Sequence, residues 1–225
     1  MSNLKARAWR GFLFLAMVMG LLLFGLAGTI EYWQAWAYLG VYFGGSLLIL
    51  LYLLRADPVL LERRMRGGPS AEKEKAQRSI MLFASLGFIG LLVVPALDRR
   101  MHWSHVSAGT TILGDILVAV WWFIILIVFR EDSFTSATIE VVSGQRVIST
   151  GPYAVVRHPM YAGGLLLVLG TQLALGSIWG LTVILAMMPV LLLRLIDEER
   201  FLSKNLPGYK EYRARVRWRL IPGVF

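Results

Sequence analysis

The sequence predicts an all-α integral membrane protein of about six transmembrane helices, in which the last two form a tight hairpin. Of its 225 residues, 57% are hydrophobic and 16% are charged, whereas an average soluble domain has roughly 25% charged residues. The hydrophobic residues occur in long runs, and the basic residues are concentrated in alternate loops. The chain has no cysteine, which excludes disulfides, thiolate nucleophiles, Cys-ligated zinc and lipids anchored on Cys.

Four hydrophobic runs are each long enough to cross a bilayer as a helix, which needs about 20 residues. None of them contains an internal Lys or Arg. They are 11–30, 35–54, 79–97 and 109–129. Basic residues precede the first run, as in a signal peptide. However, the run is longer than the usual apolar segment of about 7–15 residues and no clear cleavage site follows, which favours an uncleaved span.

The last hydrophobic stretch, 160–196, has 37 residues and is too long for one span. The turn-forming cluster GSIWG at 176–180 divides it, so we expect two short helices joined as a tight hairpin. Pro189 is expected to kink the second of them. The polar segment 67–75 (GGPSAEKEK) is expected to be a flexible connector.

The distribution of basic residues predicts the topology. Of the 23 Lys and Arg, three lie in the N-terminal tail, seven in 55–78, three in 130–159 and eight in 194–225, while Arg99 and Arg100 lie in the loop on the other side. Because basic residues favour the cytoplasmic side, we expect a multi-pass protein with both termini in the cytoplasm. The net charge of +9 then indicates contact with anionic membrane lipids, and no nucleic-acid partner is expected.

The polar stretches are too short for a separate nucleotide-binding domain. A Rossmann domain needs several βαβ units of about 30 residues each, and neither G-x-G-x-x-G nor G-x-x-x-x-G-K-[ST] occurs. We therefore divide the chain into N-terminal transmembrane helices, 1–97, and a transmembrane core with a C-terminal cytoplasmic tail, 98–225. Any cofactor pocket would form on the cytoplasmic side from loops and helix ends in 130–225.

The segment 145–164 (QRVISTGPYAVVRHPMYAGG) has the densest unusual chemistry in the chain. Pro159 disfavours helical dihedrals at His158 and suits the first position of a new helix. The N-terminus of that helix is an anion site, which Arg157 reinforces. Gly163 and Gly164 leave space for a bulky ligand or another helix. The alternative interpretation is a basic helix start at the membrane surface.

A second polar cluster follows the hairpin. Arg194 and Glu198 are one helical turn apart, so both project from one face. An Arg at membrane depth indicates an anionic ligand or substrate more than a helix salt bridge. The tail beyond them alternates aromatic and basic residues, and by itself it is typical of an amphipathic anchor on anionic lipid.

These motifs, taken in order, resemble the isoprenylcysteine carboxyl methyltransferase family and its phospholipid methyltransferase relatives. The motifs are G-P-Y-x-x-x-R-H-P-x-Y-x-G at 151–163, the Glu pair at 198–199, L-P-G-Y-x-x-Y at 206–212 and R-L-I-P-G-V at 219–224. The resemblance covers about 130–225. It implies a membrane enzyme that uses S-adenosylmethionine without a Rossmann fold.

The resemblance also implies which residues form the site. Arg194 would face the methyl acceptor. The cofactor contacts would be Gln145, Arg146, Val147, Ile148, Tyr153, His158, Pro159, Met160, Tyr161 and Glu198. Gln145 departs from the family pattern, since eukaryotic members often have His at this position.

The closely spaced arginines favour a carboxylate acceptor on a lipidated or otherwise apolar molecule. A carboxylate is already ionised and needs alignment rather than a base, and Arg194 with Arg157 or Arg215 could hold it by bidentate hydrogen bonds. The alternatives are a phospholipid amine N-methyltransferase, a membrane reductase on the same helical core, and a non-catalytic scaffold. No metal is expected, because His102 and His105 have no carboxylate cluster beside them.

Overall fold

The computed structural model describes residues 2–68, 70 and 74–225, so part of the expected connector at 67–75, residues 69 and 71–73, lies outside the described residues. The described chain is all-α, with 74% helix and no strands. The helices are α1 (Ser2–Gly20, continued by a π-helical turn, Leu21–Gly25), α2 (Trp33–Ala56), α3 (Pro58–Met65), α4 (Lys75–Met101), α5 (Ala108–Glu131), α6 (Pro159–Ala174), α7 (Gly180–Asn205) and α8 (Tyr209–Arg215).

The predicted fold class is confirmed. Within the described residues, five helical segments are long and apolar enough to span a membrane: Asn3–Gly25, Trp33–Ala56, Gln77–Met101, Ala108–Glu131 and Gly180–Asn205. The sixth apolar helix, α6, has 16 residues. It is therefore roughly 24 Å long, against a hydrocarbon core of about 30 Å.

Local sequence signals set several helix ends. Asp57 caps α3 by accepting a hydrogen bond from the Leu60 amide at 2.9 Å, and Pro58 takes the first helical position. Pro159 starts α6 in the same way. Both prolines lack the amide hydrogen that a first-turn residue could not use within its helix.

Helices α6 and α7 are joined by the predicted turn, but they pack against different neighbours. Helix α6 lies along α5, where a Cβ on Gly114 would be 2.1 Å from the Ala174 nitrogen, so the two backbones touch. Helix α7 lies along α4, where a Cβ on Gly87 would be 2.5 Å from Met187 Cγ. Small residues permit this close approach of membrane helices. The hairpin consequently opens between α6 and α7.

The four basic segments lie together at one end of the bundle, which we call the basic end. There Ala8 of α1 belongs to the same core cluster as Leu53, Leu60 and Phe129. At the opposite end, the Tyr32 hydroxyl donates to the Leu175 carbonyl at 2.6 Å. The separation of the four basic segments from the opposite end of the bundle agrees with the predicted topology. The cytoplasmic location of the basic end stays a prediction.

Candidate active site

A cavity of about 440 Å³ lies among α4, α5, α6 and α7 and reaches the basic end. There the loop between α5 and α6, residues 132–158, and the start of α8 border it. Its volume falls within the range of about 300–1,000 Å³ that is usual for small-molecule sites.

The fold brings nearly all of the predicted site residues to this cavity, although they span more than fifty positions of the chain. Every predicted residue except Arg215 lines it. These are Gln145, Arg146, Val147, Ile148, Tyr153, Arg157, His158, Pro159, Met160, Tyr161, Arg194 and Glu198. Arg215 is exposed at the end of α8 and is not part of the lining.

Glu199 is the centre of a buried ionic cluster beside the cavity. Its carboxylate accepts from Arg157 Nε at 2.6 Å and from Arg219 Nε at 3.1 Å, and it lies 3.3 Å from His158 Nε2. Arg157 Nη1 also donates to the carbonyls of Val216 and Arg217. We call the four side chains of Glu199, Arg157, His158 and Arg219 the Glu199 cluster.

The Glu199 cluster fixes the C-terminal tail against the start of α6. Backbone bonds extend this contact, because the amides of Arg157 and His158 donate to the carbonyls of Trp218 and Arg219 at 2.9 and 3.0 Å. The Arg157 guanidinium thus has three partners within the protein. Its predicted contact with the acceptor stays a prediction.

Glu198, Tyr161 and Arg194 form a second network that faces the cavity. The Tyr161 hydroxyl donates to Glu198 Oε2 at 2.7 Å and accepts a hydrogen bond from Arg194. Arg194 Nη1 donates to Gln77 Oε1 at 3.0 Å, and its Nη2 donates to the Ala137 carbonyl at 3.1 Å. Helix α4 and the loop after α5 therefore hold the Arg194 guanidinium in place.

A short 3₁₀ turn, Gly151–Ala154, positions Tyr153. Gly151 has a φ of +56°, which favours glycine. The Tyr212 hydroxyl donates to the Tyr153 carbonyl at 2.8 Å, and the Tyr153 hydroxyl hydrogen-bonds the Asp132 carboxyl. Burial raises the pKa of Asp132, against the opposing effect of hydrogen bonds from the Phe134 amide and Tyr153.

The two glycines predicted to leave space have different neighbours. A Cβ on Gly163 would be 2.7 Å from the Trp121 ring, so this glycine permits close packing of α6 on α5. A Cβ on Gly164 would meet nothing within 4 Å, and Gly164 lines the cavity. Gly163 therefore accommodates a helix, and Gly164 borders the space open to a ligand.

Several cavity residues were missed from the sequence, notably Arg64, Asp132 and Tyr209. Tyr209 is 4% exposed, and its hydroxyl has no hydrogen-bond partner among the described residues. Its position in the L-P-G-Y motif could have indicated Tyr209 as a site residue. Arg64 had no such signal, because it is one of seven basic residues in 55–78 and no motif distinguishes it from the others.

No group of three or more His, Asp or Glu side chains in the described part of the chain is arranged to hold a metal ion.

A comparison with protein families matches residues 109–207 to the phospholipid methyltransferase family. No curated protein matches the chain significantly. The matched region begins at the start of α5 and ends just beyond α7, so it includes three walls of the cavity and both glutamates of the pair at 198–199. The resemblance seen in the sequence is confirmed for this region: residues 109–207 are similar to the phospholipid methyltransferase family, which includes the isoprenylcysteine carboxyl methyltransferases, and the match indicates a membrane methyltransferase.

Proposed function

We propose that this protein transfers a methyl group from S-adenosylmethionine to the carboxylate of a lipidated or otherwise apolar molecule. One observation carries the proposal. A single cavity has a polar end with Arg194, Tyr161 and Glu198, and continues between the helices into a part that hydrophobic side chains line. An apolar molecule with one anionic end matches that distribution of polarity.

The polar end fits S-adenosylmethionine. The first-turn amides of α6, those of Met160 and Tyr161, have no carbonyl partner within their own helix and suit the methionine carboxylate. Glu198 suits the amino group or the ribose hydroxyls. The open space beside Gly164 and the unpartnered Tyr209 hydroxyl are two further features that a ligand of this size and polarity would use.

The hydrophobic part of the cavity supports an apolar acceptor. Along α7 it is lined from Leu192 down to Met187, and along α4 from Met81 to Phe88. Seven residues of helix correspond to roughly 10 Å of depth. Each methylene of an acceptor chain buried there contributes about 0.8 kcal/mol to binding.

The reaction needs alignment more than proton transfer. When bound, S-adenosylmethionine supplies an electrophilic methyl group on a sulfonium. A bond forms between the acceptor oxygen and the methyl carbon as the carbon–sulfur bond breaks, the electron pair stays on sulfur, and no proton moves. The protein's task is to hold the carboxylate in line, and effective alignment of this kind can supply about 7–11 kcal/mol of the barrier reduction.

Among the three arginines predicted at the acceptor, Arg194 has the strongest structural support. It lies at the junction of the polar and hydrophobic parts and is oriented by Gln77 and the Ala137 carbonyl. Arg157 is engaged in the Glu199 cluster, so we assign it a positioning role. Arg215 is exposed away from the cavity, and we give it no role in catalysis.

A phospholipid amine is the second candidate acceptor. An amine must lose a proton, and the carboxyl groups of Asp132 and Glu198 both line the cavity. Burial raises the pKa of Asp132, which would make it a better base than an exposed carboxylate.

Calorimetry on the purified protein in lipid nanodiscs tests the cofactor assignment. S-adenosylhomocysteine should bind stoichiometrically, and NADPH should give no saturable heat. Binding of NADPH alone would instead support the membrane reductase interpretation.

A further inference from the structure

Arg64 is a mostly buried cation on the wall of the cavity, and it lies outside the region matched to the family. It belongs to α3. Its Nη1 donates to the Ser136 carbonyl at 2.7 Å, and its guanidinium carbon lies 5.5 Å from the centre of the Phe129 ring. These contacts fix the guanidinium at the cavity without neutralising its charge.

No carboxylate among the described residues is bonded to Arg64, and its Nε and Nη2 donors have no hydrogen-bond partner there. Burial lowers the pKa of Arg64, the nearby charge of Glu198 works against that shift, and the charge of Arg194 adds to it. A partly buried cation without a bonded anion has lost part of its hydration without full compensation. An anionic ligand would supply that compensation.

Arg64 and Arg194 approach the same part of the cavity from two sides. They bind consecutive carbonyls of one loop, those of Ser136 and Ala137. The chain just after α3 is packed closely on that loop, since a Cβ on Gly67 would be 2.9 Å from the Ala137 Cβ. Two guanidinium groups held by one short loop form a preorganised site for an oxyanion.

We propose that Arg64 forms, with Arg194, a two-arginine site that binds the carboxylate of the apolar acceptor. The proposal rests on the function proposed above and adds a specificity-determining residue from α3. It also gives a reason for product release, because esterification removes the negative charge that the two arginines bind.

Arg63 provides a matched control. Its Nη1 donates to the Ser133 carbonyl of the same loop, also at 2.7 Å, but it does not line the cavity. Arg63→Gln and Arg64→Gln therefore each remove one positive charge and one bond to this loop. A merely structural role of α3 in anchoring the loop predicts similar effects for the two variants.

The experiment measures the affinity of the protein in nanodiscs for dodecanoate and for methyl dodecanoate. Wild type and Arg63→Gln should prefer the carboxylate. Arg64→Gln should lose that preference by roughly tenfold to a hundredfold, the usual effect of one charged hydrogen bond, with unchanged affinity for S-adenosylhomocysteine. If Arg64→Gln does not yield folded protein, Arg64→Lys, which loses the planar fork, should show a smaller loss in the same direction.

Equal preferences in Arg64→Gln and wild type would overturn the proposal, as would equal losses in the two glutamine variants. Stronger Arg64-dependent binding of dodecyl phosphate than of dodecanoate would assign the site to a phospholipid headgroup and contradict the carboxylate. Failure of S-adenosylhomocysteine to bind would reject the proposed function separately, because the ester comparison does not need the cofactor.

Discussion

Glu198 and Glu199 are consecutive on α7, yet their carboxylates have different partners. Glu198 accepts from the Tyr161 hydroxyl and lines the cavity. Glu199 is 3% exposed and binds Arg157, His158 and Arg219. Successive residues of a helix point about 100° apart, so one glutamate faces the cavity and the other binds the C-terminal tail beside it.

Substitution of the two glutamates should separate binding from stability. Glu198→Gln should weaken binding of S-adenosylhomocysteine by about 1–3 kcal/mol, because a charged hydrogen bond to the ligand is lost. Glu199→Gln should reduce stability by about 3–5 kcal/mol, because it leaves the buried Arg157 guanidinium without its anion. Calorimetry and thermal unfolding measure the two effects. An unchanged affinity in folded Glu198→Gln would reject its assignment to the cofactor.

Arg194→Lys should lower turnover by roughly tenfold to a hundredfold while cofactor affinity stays near wild type. Lysine keeps the charge but loses the planar fork that aligns a carboxylate. Arg200→Lys is the control, because Arg200 is on the same helix but is exposed, and among the described residues its ion pair is with Asp197 at 3.7 Å. Full turnover in Arg194→Lys would contradict the alignment role.

Tyr209→Phe should weaken cofactor binding by about 1 kcal/mol and leave stability nearly unchanged. Its hydroxyl is buried at the cavity without a protein partner, so its removal breaks no bond in the free protein. Tyr212→Phe should show the opposite pattern, since the Tyr212 hydroxyl donates to the Tyr153 carbonyl. Isothermal calorimetry and unfolding curves of both variants test this contrast.

The helices could be predicted because the hydrophobic runs are long and free of basic residues. The turn at 176–180 followed from its glycines. The packing of α6 on α5 and of α7 on α4 could not be predicted, because the pairing depends on which small residues face each other across helices. Nothing in the sequence distinguishes Gly114, which packs against α6, from Gly87, which packs against α7.

The candidate site was predicted largely through the ordered motifs, which the fold brings to one cavity. The partners of those residues were not predictable, because Arg157 and Glu199 meet only after the tail folds back on α6. Arg64 was missed for a similar reason. Asp57 and Pro58 signal the helix α3, but nothing in the sequence places that helix beside a loop more than 65 residues later.

The depth of the cavity should control the preferred length of the acceptor. Met187 is packed with Leu91 and Val168 at the lower end of the hydrophobic part, and its side chain lies against Gly87. Met187→Ala should shift the preference of the enzyme toward longer alkyl chains. Gly87→Ala should push the Met187 side chain into the cavity and shift it toward shorter ones.

A series of alkyl carboxylates of increasing length, measured by competition binding, tests these opposite shifts. If the preferred chain length shifts in the same direction in both variants, or in neither, Met187 does not form the end of the acceptor site.

The carboxylate acceptor is tested most directly by the chemical nature of the product formed from methyl-labelled S-adenosylmethionine and an apolar carboxylate. We expect an ester that releases labelled methanol in alkali, formed slowly by Arg194→Lys and by Arg64→Gln. An alkali-stable methylated amine from membrane phospholipid, formed at an undiminished rate by both variants, would contradict this expectation.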